Sequence, residues 1–125
     1  MSYEIGKMLQ SAEDCLLSAE HSFKGGWYKA AANRSYYCVF DCITALLYAK
    51  GASAKTHQGA HVKFRQLYIK TALLRVNLDE ILTRVFDLRQ SSDYDFEFEP
   101  TKADTLSAIE SAKEFLAATK SYLQM

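Results

Sequence analysis

The chain has 125 residues, with 15 basic and 15 acidic side chains, one proline and three cysteines. A hydrophobic fraction of 49% is enough to build a core, so we expect residues 1–125 to form a single domain. A net charge of zero excludes a globally basic nucleic-acid coat, and the odd cysteine count argues against a disulfide framework. The N-terminus lacks the positive charge of a secretory signal, and the most apolar stretch contains Arg34 and Asp41, so the sequence predicts a cytoplasmic protein without a membrane span.

Apolar residues recur with a period near 3.6 and predict helices along the whole chain. The first helix is expected over residues 2–23, before Gly25 and Gly26, and the second over about residues 27–50. The second helix is apolar nearly all round, which is typical of the central helix of a bundle. One stripe of it would let another helix approach closely, within the chain or across a dimer, because all its residues are small: Ala31, Ser35, Cys38, Cys42, Ala45 and Ala49.

Three further helices are expected. A less regular one follows a loop at residues 52–57 and reaches about residue 70. Asn77 and Glu80 have the spacing of a capping box, which predicts a fourth helix ending near residue 92. After an acidic and aromatic loop at 93–100, Thr101 is expected to cap the last helix with help from Asp104. Its predicted inner face consists of Leu106, Ile109, Ala112, Leu116 and Leu123. The fold class is therefore all-α, a bundle of four long helices plus a short one.

A charged residue lies on the predicted core face of the fourth helix. On a helical wheel that starts at Leu78, Arg89 falls at about 20°, between Val85 at about 340° and Leu82 at about 40°. Burying an unpaired guanidinium costs several kcal/mol, so Arg89 must have a partner, reach a cleft or lie at a subunit interface. The structural alternative is an arginine that snorkels at a helix end.

Arg34 and Asp41 are the only formal charges between Lys29 and Lys50, and they share one face of the second helix. They either form a structural ion pair, direct or through water, or face the same polar cavity as Arg89.

Charge is also segregated along the chain. Residues 50–78 contain six basic side chains and no acid, whereas residues 87–99 contain five acids and one base. The basic run could contact phosphates, form an ordinary solvated surface or dock on an acidic partner.

Other kinds of site find little support in the sequence. His57 and His61 are four residues apart, but no Glu or third ligand accompanies them in a zinc-motif spacing. Gly25 and Gly26 lack the further glycines and the lysine of a phosphate-binding loop. No metal site and no cofactor is predicted.

Four stretches of this sequence together resemble the HEPN (higher eukaryotes and prokaryotes nucleotide-binding) domain family. They are GWYKAAANRSYYCVF at residues 26–40, ALLYAKG at 45–51, HQG at 57–59 and LRQSSDYD at 88–95. The similarity is strongest to the small single-domain HEPN proteins of bacteria and archaea. The resemblance implies an up-and-down bundle that forms a homodimer, with the motif arginine, here Arg89, near the dimer cleft.

The resemblance also implies a function. Many HEPN domains are metal-independent endoribonucleases in which an arginine and a histidine a few residues later assist attack of the RNA 2′-hydroxyl on the adjacent phosphate. Others pair with a minimal nucleotidyltransferase as toxin and antitoxin, and in some pairs a tyrosine near the motif accepts AMP. This chain has no histidine after Arg89, and Tyr94 takes that place. A phenol with an ordinary pKa near 10 is a poor proton shuttle at neutral pH.

Three hypotheses follow. The favoured one is a module that binds a nucleotide or RNA phosphate and works with a minimal nucleotidyltransferase, with Tyr94 as a candidate for modification. Its candidate binding residues are Arg34, Tyr37, Asp41, His57 and Arg89. The second is an endoribonuclease with a degenerate motif, whose candidate catalytic residues are Arg89, Tyr94 and, if it lies nearby, His57. The third is an interaction protein whose acidic loop at 93–99 docks on a basic partner while Arg89 is purely structural.

Overall fold

The computed structural model describes residues 2–125, and this range contains five α-helices, one π-helical segment and no strand. Four of the helices are long and one is short, so the predicted all-α bundle is confirmed. The elements in chain order are α1 (Ser2–Lys24), α2 (Tyr28–Ala49), α3 (His57–Phe64), the π-helical segment (Arg65–Ile69), α4 (Asn77–Tyr94) and α5 (Lys102–Leu123).

Helix α2 is the central element, as its nearly continuous apolar surface predicts. It packs against α1, α3, α4 and α5. The stripe of small residues on α2 is buried apart from the partly exposed Ala49, and the Cys38 thiol lies 4.0 Å from the Ala112 carbonyl oxygen of α5. Small side chains on α2 therefore allow close packing within this chain. The packing of α2 on α4 also brings Asn33 and Tyr37 of α2 to Asp93 and Arg89 of α4.

The connections between the first helices depend on local backbone chemistry. Gly26, with φ of +79°, turns the chain between α1 and α2, and Gly51, with φ of +69°, ends α2. These left-handed conformations are ones that glycine adopts without steric cost. Thr56 caps α3 by accepting a hydrogen bond from the Gly59 amide at 2.9 Å. Both histidines of this helix, His57 and His61, lie against Tyr36 of α2.

Helix α3 continues into the π-helical segment rather than into further α-helix. The Lys70 amide donates to the Arg65 carbonyl at 2.9 Å, the five-residue spacing of a π-turn. Tyr68 of this segment is fully buried, and its hydroxyl donates to the Leu46 carbonyl of α2 at 2.5 Å. The segment is thereby attached to the central helix.

Three sequence predictions need correction. Asn77 does not cap α4, because it lies inside the helix, where its side chain accepts from Arg75 and donates to Glu114 of α5. Helix α4 runs two residues past its predicted end, to Tyr94. Leu106 is 41% exposed, because α5 presents Thr105 and Ala108 to the core instead. The predicted Thr101 cap is confirmed, since its hydroxyl accepts from the Asp104 amide at 3.0 Å.

Within residues 2–125, each helix is either too short or too polar to cross a bilayer.

Candidate functional site

Arg89 is the most completely partnered charge in the C-terminal half of α4. Its side chain is only 12% exposed. Nε donates to Asp93 Oδ2 at 3.0 Å, and Nη1 donates to Gln90 Oε1 at 3.1 Å. Nη2 donates to the hydroxyls of Tyr37 and Tyr94, both at 3.2 Å. The inner position that the helical wheel predicts is thus compatible with burial because partners satisfy the guanidinium.

Aromatic rings surround the same guanidinium. Arg89 Cζ lies 5.6 Å from the ring centre of Tyr36, 5.4 Å from that of Tyr37 and 5.2 Å from that of Tyr94. A cation at this distance is attracted by the ring quadrupole, and the attraction strengthens where water is excluded. Tyr36 and Tyr37 are adjacent on α2, so they connect the central helix to α4 at this point.

Arg34, which also belongs to α2, lies against the Tyr37 ring. Its Cζ lies 5.1 Å from the centre of Tyr37. Its Nε and Nη2 donate to Asn33 Oδ1 at 2.9 and 2.7 Å, and Asn33 Nδ2 donates to Asp93 Oδ2 at 2.9 Å. Asp93 therefore accepts from both Asn33 and Arg89. We use the name arginine cluster for this group, which consists of Asn33, Arg34, Tyr37, Arg89, Asp93 and Tyr94.

Asp41 lies apart from the arginine cluster, against α1. It accepts a hydrogen bond from the Ser11 hydroxyl at 2.6 Å and one from the Cys15 thiol at 3.7 Å. Among the described residues Arg34 and Asp41 form no direct ion pair, because the Cys15 sulfur lies between them, 3.8 Å from Arg34 Nη1. Asp41 also lines a groove of α1 and α2, and that groove includes none of the residues that contact Arg89.

Burial raises the pKa of both the Asp41 carboxyl and the Cys15 thiol, which are hydrogen-bonded to each other. It raises the pKa of the Asp41 carboxyl, although hydrogen bonds from Ser11 and Cys15 and the nearby charge of Arg34 act in the opposite direction. Burial, with a smaller contribution from the Asp41 charge, raises the pKa of the Cys15 thiol to about 11. A thiol with that pKa stays protonated at neutral pH, so Cys15 is a hydrogen-bonding bridge rather than a reactive nucleophile.

His57 lies beside the arginine cluster. Its Nδ1 is 2.8 Å from the Tyr36 hydroxyl, its ring stacks on Phe40 with centres 4.2 Å apart, and it meets the Tyr37 ring edge-on at 5.7 Å. Burial, followed by the nearby charge of Arg89, lowers the pKa of His57 below its ordinary value. His57 is therefore a neutral imidazole at neutral pH.

His61 completes this aromatic region from deeper in the core. Its Nε2 is 2.9 Å from the same Tyr36 hydroxyl, and its ring meets Phe86 edge-on at 4.9 Å. Burial lowers the pKa of His61 to about 4, and the charge of Arg65 acts in the same direction. One buried hydroxyl thus contacts two neutral histidines.

The structure brings together five of the six candidate site residues, namely Arg34, Tyr37, His57, Arg89 and Tyr94, and leaves Asp41 outside. Four further residues contact this site although the sequence did not assign them to it: Asn33, Tyr36, His61 and Asp93. Asp93 could have been found, because it follows Arg89 at the i,i+4 spacing at which helical side chains meet. Asn33 and Tyr36 carry no comparable local signal, since their partners are distant in the chain. Within residues 2–125 no group of three or more metal-ligating side chains converges.

Comparison with known proteins connects this geometry to a family. The family model of the HEPN domain matches residues 5–122. A protein of Methanocaldococcus jannaschii that carries the name "Putative toxin MJ0142" is 34% identical over 120 residues, which cover 96% of this chain and 82% of that protein. A second protein of the same organism, named "Putative toxin MJ0605", is 29% identical over 97% of this chain and 90% of its own length. A UPF0332 protein of Thermotoga maritima is 31% identical over 90% of this chain and 86% of its own length.

The lowered pKa of His61 predicts a specific loss of stability in acid. The neutral histidine stabilises the fold fully above its unfolded pKa of about 6.5, and this contribution is lost as the pH falls toward the folded value of about 4. Urea unfolding between pH 7 and 4 should show that the wild-type chain loses about 2–3 kcal/mol more than His61→Gln. His21→Gln, which changes an exposed histidine of α1, is the matched control and should follow the wild type. Equal pH dependence for His61→Gln and wild type would contradict the prediction.

Proposed function

The chain belongs to the HEPN domain family, and from this premise we propose that it is a toxin-like module that binds a phosphate group of RNA or of a nucleotide through Arg34 and Arg89. The observation that carries the proposal is the convergence of two guanidinium groups on one ring. Their Cζ atoms lie 5.1 and 5.4 Å from the centre of Tyr37. Guanidinium groups bind the oxygens of phosphates and carboxylates through paired hydrogen bonds, and a phosphate has enough oxygens to meet two such groups from different helices.

The charge balance of the arginine cluster supports an anionic ligand. It contains two arginines against one aspartate, and the adjacent His57 is neutral. One positive charge is therefore left in a partly buried place, where charges are screened less than on the open surface. A phosphate oxygen would offset this charge. Arg34 Nη1 could donate a hydrogen bond to this oxygen, because Nη1 contacts the Cys15 sulfur in this structure and sulfur is a weak acceptor.

Tyr94 gives the site a surface for a base. Tyr94 is 68% exposed although its hydroxyl accepts a hydrogen bond from Arg89, and Phe96 two residues later is 92% exposed. Exposed aromatic rings next to a phosphate-binding arginine are typical stacking surfaces for unpaired bases. The acids of the following segment, Asp95 and Glu97, would repel a continuing phosphate backbone. We therefore propose a ligand of one or a few nucleotides in preference to a long strand or a duplex.

This binding can be tested by fluorescence anisotropy with a short single-stranded oligoribonucleotide. Arg89→Gln should weaken binding at least about tenfold, because a charge-assisted phosphate contact is worth about 1.5–3 kcal/mol. It should also lower the slope of log affinity against log salt by about one. Arg84→Gln, a change at an exposed arginine of the same helix, is the matched control. Equal affinity of Arg89→Gln and wild type, with unchanged helicity, would refute the proposed phosphate site.

We further propose that the partner is a minimal nucleotidyltransferase that transfers AMP from ATP to the Tyr94 hydroxyl. The phenol oxygen bonds to the α-phosphorus, the α–β phosphoanhydride bond breaks, and pyrophosphate and the phenol proton leave. The support is that the Tyr94 side chain is accessible while Arg89 Nη2 contacts its oxygen, so that the incoming phosphate would meet a cation at the acceptor atom. In this arrangement the homodimer that the family resemblance implies would place two such tyrosines in one assembly.

The modification can be tested by intact-mass spectrometry after co-expression with a minimal nucleotidyltransferase. The wild-type chain should gain one adenylyl mass, and Tyr94→Phe should not. Tyr3→Phe changes a similarly exposed tyrosine of α1, and it should be modified as the wild type is. A mass gain that persists in Tyr94→Phe would exclude Tyr94 as the acceptor.

A second candidate function is metal-independent cleavage of RNA, and the position of His57 favours it. The chain has no histidine after Arg89, but α3 brings His57 to the same Tyr36–Tyr37 pair that contacts Arg89. As a neutral imidazole, His57 could accept the proton of the 2′-hydroxyl as its oxygen attacks the adjacent phosphorus, while Arg89 stabilises charge on the attacked phosphate. The bond to the 5′-oxygen then breaks, the departing 5′-oxygen takes a proton from water, and a 2′,3′-cyclic phosphate is formed. Tyr94 would then hold Arg89 in place by accepting its hydrogen bond and would not transfer the proton.

Incubation of the protein with RNA in the presence of EDTA tests this candidate. Cleavage should be lost in both His57→Gln and Arg89→Gln and should persist in His21→Gln, which removes an exposed histidine of α1. Absence of cleavage by the wild type, or cleavage that survives His57→Gln, would remove the nuclease function and leave the binding proposal to its own test.

A further inference from the structure

We propose that Tyr36 is a positioning residue: its hydroxyl accepts a hydrogen bond from His57 Nδ1–H and donates to His61 Nε2, so that His57 presents an unprotonated Nε2. Only the use of that nitrogen by a ligand rests on the proposed function. The hydrogen-bond arrangement itself is a property of the free chain and can be measured without any ligand.

The geometry makes Tyr36 the common partner of both histidines. Its hydroxyl oxygen lies 2.8 Å from His57 Nδ1 and 2.9 Å from His61 Nε2. Tyr36 is completely buried and His61 is 4% exposed, so water cannot readily replace either contact. A phenol has a single hydrogen. When both histidines are neutral, the hydroxyl must therefore donate to one of them and accept from the other.

The environments of the two rings decide the direction. His57 is partly exposed, meets the Tyr37 ring and lies within the field of the Arg89 charge, whereas His61 is buried and meets the Phe86 ring. Because His57 is partly exposed to water whereas His61 is only 4% exposed, His57 takes up a proton first when the pH falls. A protonated His57 donates from both nitrogens, so Tyr36 must then accept from His57 and donate to His61. If the two hydrogen bonds of Tyr36 have this direction at neutral pH as well, the buried hydroxyl does not reorient when His57 is protonated.

Packing restricts the His57 ring in the remaining directions. The ring is nearly parallel to Phe40, with centres 4.2 Å apart and an interplanar angle of 13°. The edge-on contact with Tyr37 closes a second side. Stacking on Phe40 defines the plane of the imidazole, and the hydrogen bond to Tyr36 defines its rotation within that plane. Tyr36 therefore determines which nitrogen is left for a ligand.

The tautomer can be read directly by two-bond ¹H–¹⁵N NMR of the imidazole groups at neutral pH. The chain has only three histidines, and His21→Gln and His57→Gln assign their signals. We expect the spectrum of an Nδ1-protonated ring with a bare Nε2 for both His57 and His61. A spectrum that shows His57 protonated at Nε2 would overturn the proposal, and this outcome requires no variant at Tyr36.

Tyr36→Phe then tests whether the tyrosine causes the arrangement. It should convert the His57 spectrum to that of exchanging tautomers and shift the midpoint of the His57 titration. Tyr68→Phe is the matched control, because Tyr68 is also fully buried but its hydroxyl donates to the Leu46 carbonyl. An unchanged His57 tautomer and titration in folded Tyr36→Phe would refute the positioning role. If the wild-type chain shows the expected His57 tautomer but does not bind the oligoribonucleotide, the phosphate proposal alone is contradicted.

Discussion

The buried guanidinium of Arg89 is the group around which the rest of the site is arranged. A charge that is 12% exposed on the core face of a helix is stable only if partners replace the water it has lost. Asp93 and Tyr94 supply partners from α4 itself, and Tyr36 and Tyr37 supply a ring and a hydroxyl from α2. The site is therefore complete only when α2 is packed on α4.

The same requirement explains why the cluster is polar on one side and aromatic on the other. Asn33 connects Arg34 to Asp93, so both arginines share the single carboxylate, directly or through an amide. The rings that face the cations also lower the water content around His57 and His61, and this loss of hydration keeps both histidines neutral. A positive region next to neutral imidazoles is suited to an anionic ligand that must exchange a hydrogen bond or a proton.

Local rules predicted much of the fold and part of the site. The helix periodicity predicted the number of helices, and the wheel position placed Arg89 on an inner face, where it needs a partner, a cleft or a subunit interface. The same rules were wrong at Asn77 and Leu106, where contacts with a neighbouring helix override the local pattern: the Asn77 amide bonds Glu114 of α5, and α5 turns Thr105 inward. Capping and wheel arguments use neighbours within one helix only, so they cannot register such contacts.

The sequence by itself determined the all-helical fold, the central role of α2 and the need of Arg89 for partners, because each follows from spacing within a single helix. Only the tertiary structure decided that Asn33 meets Asp93 and that Tyr36 joins His57 to His61. It also turned Asp41 toward Ser11 and away from Arg89. These pairs are separated by 21 to 60 residues along the chain, and their distances depend on how the helices cross. Periodicity shows which face of a helix is buried, whereas packing determines which side chain of another helix it meets.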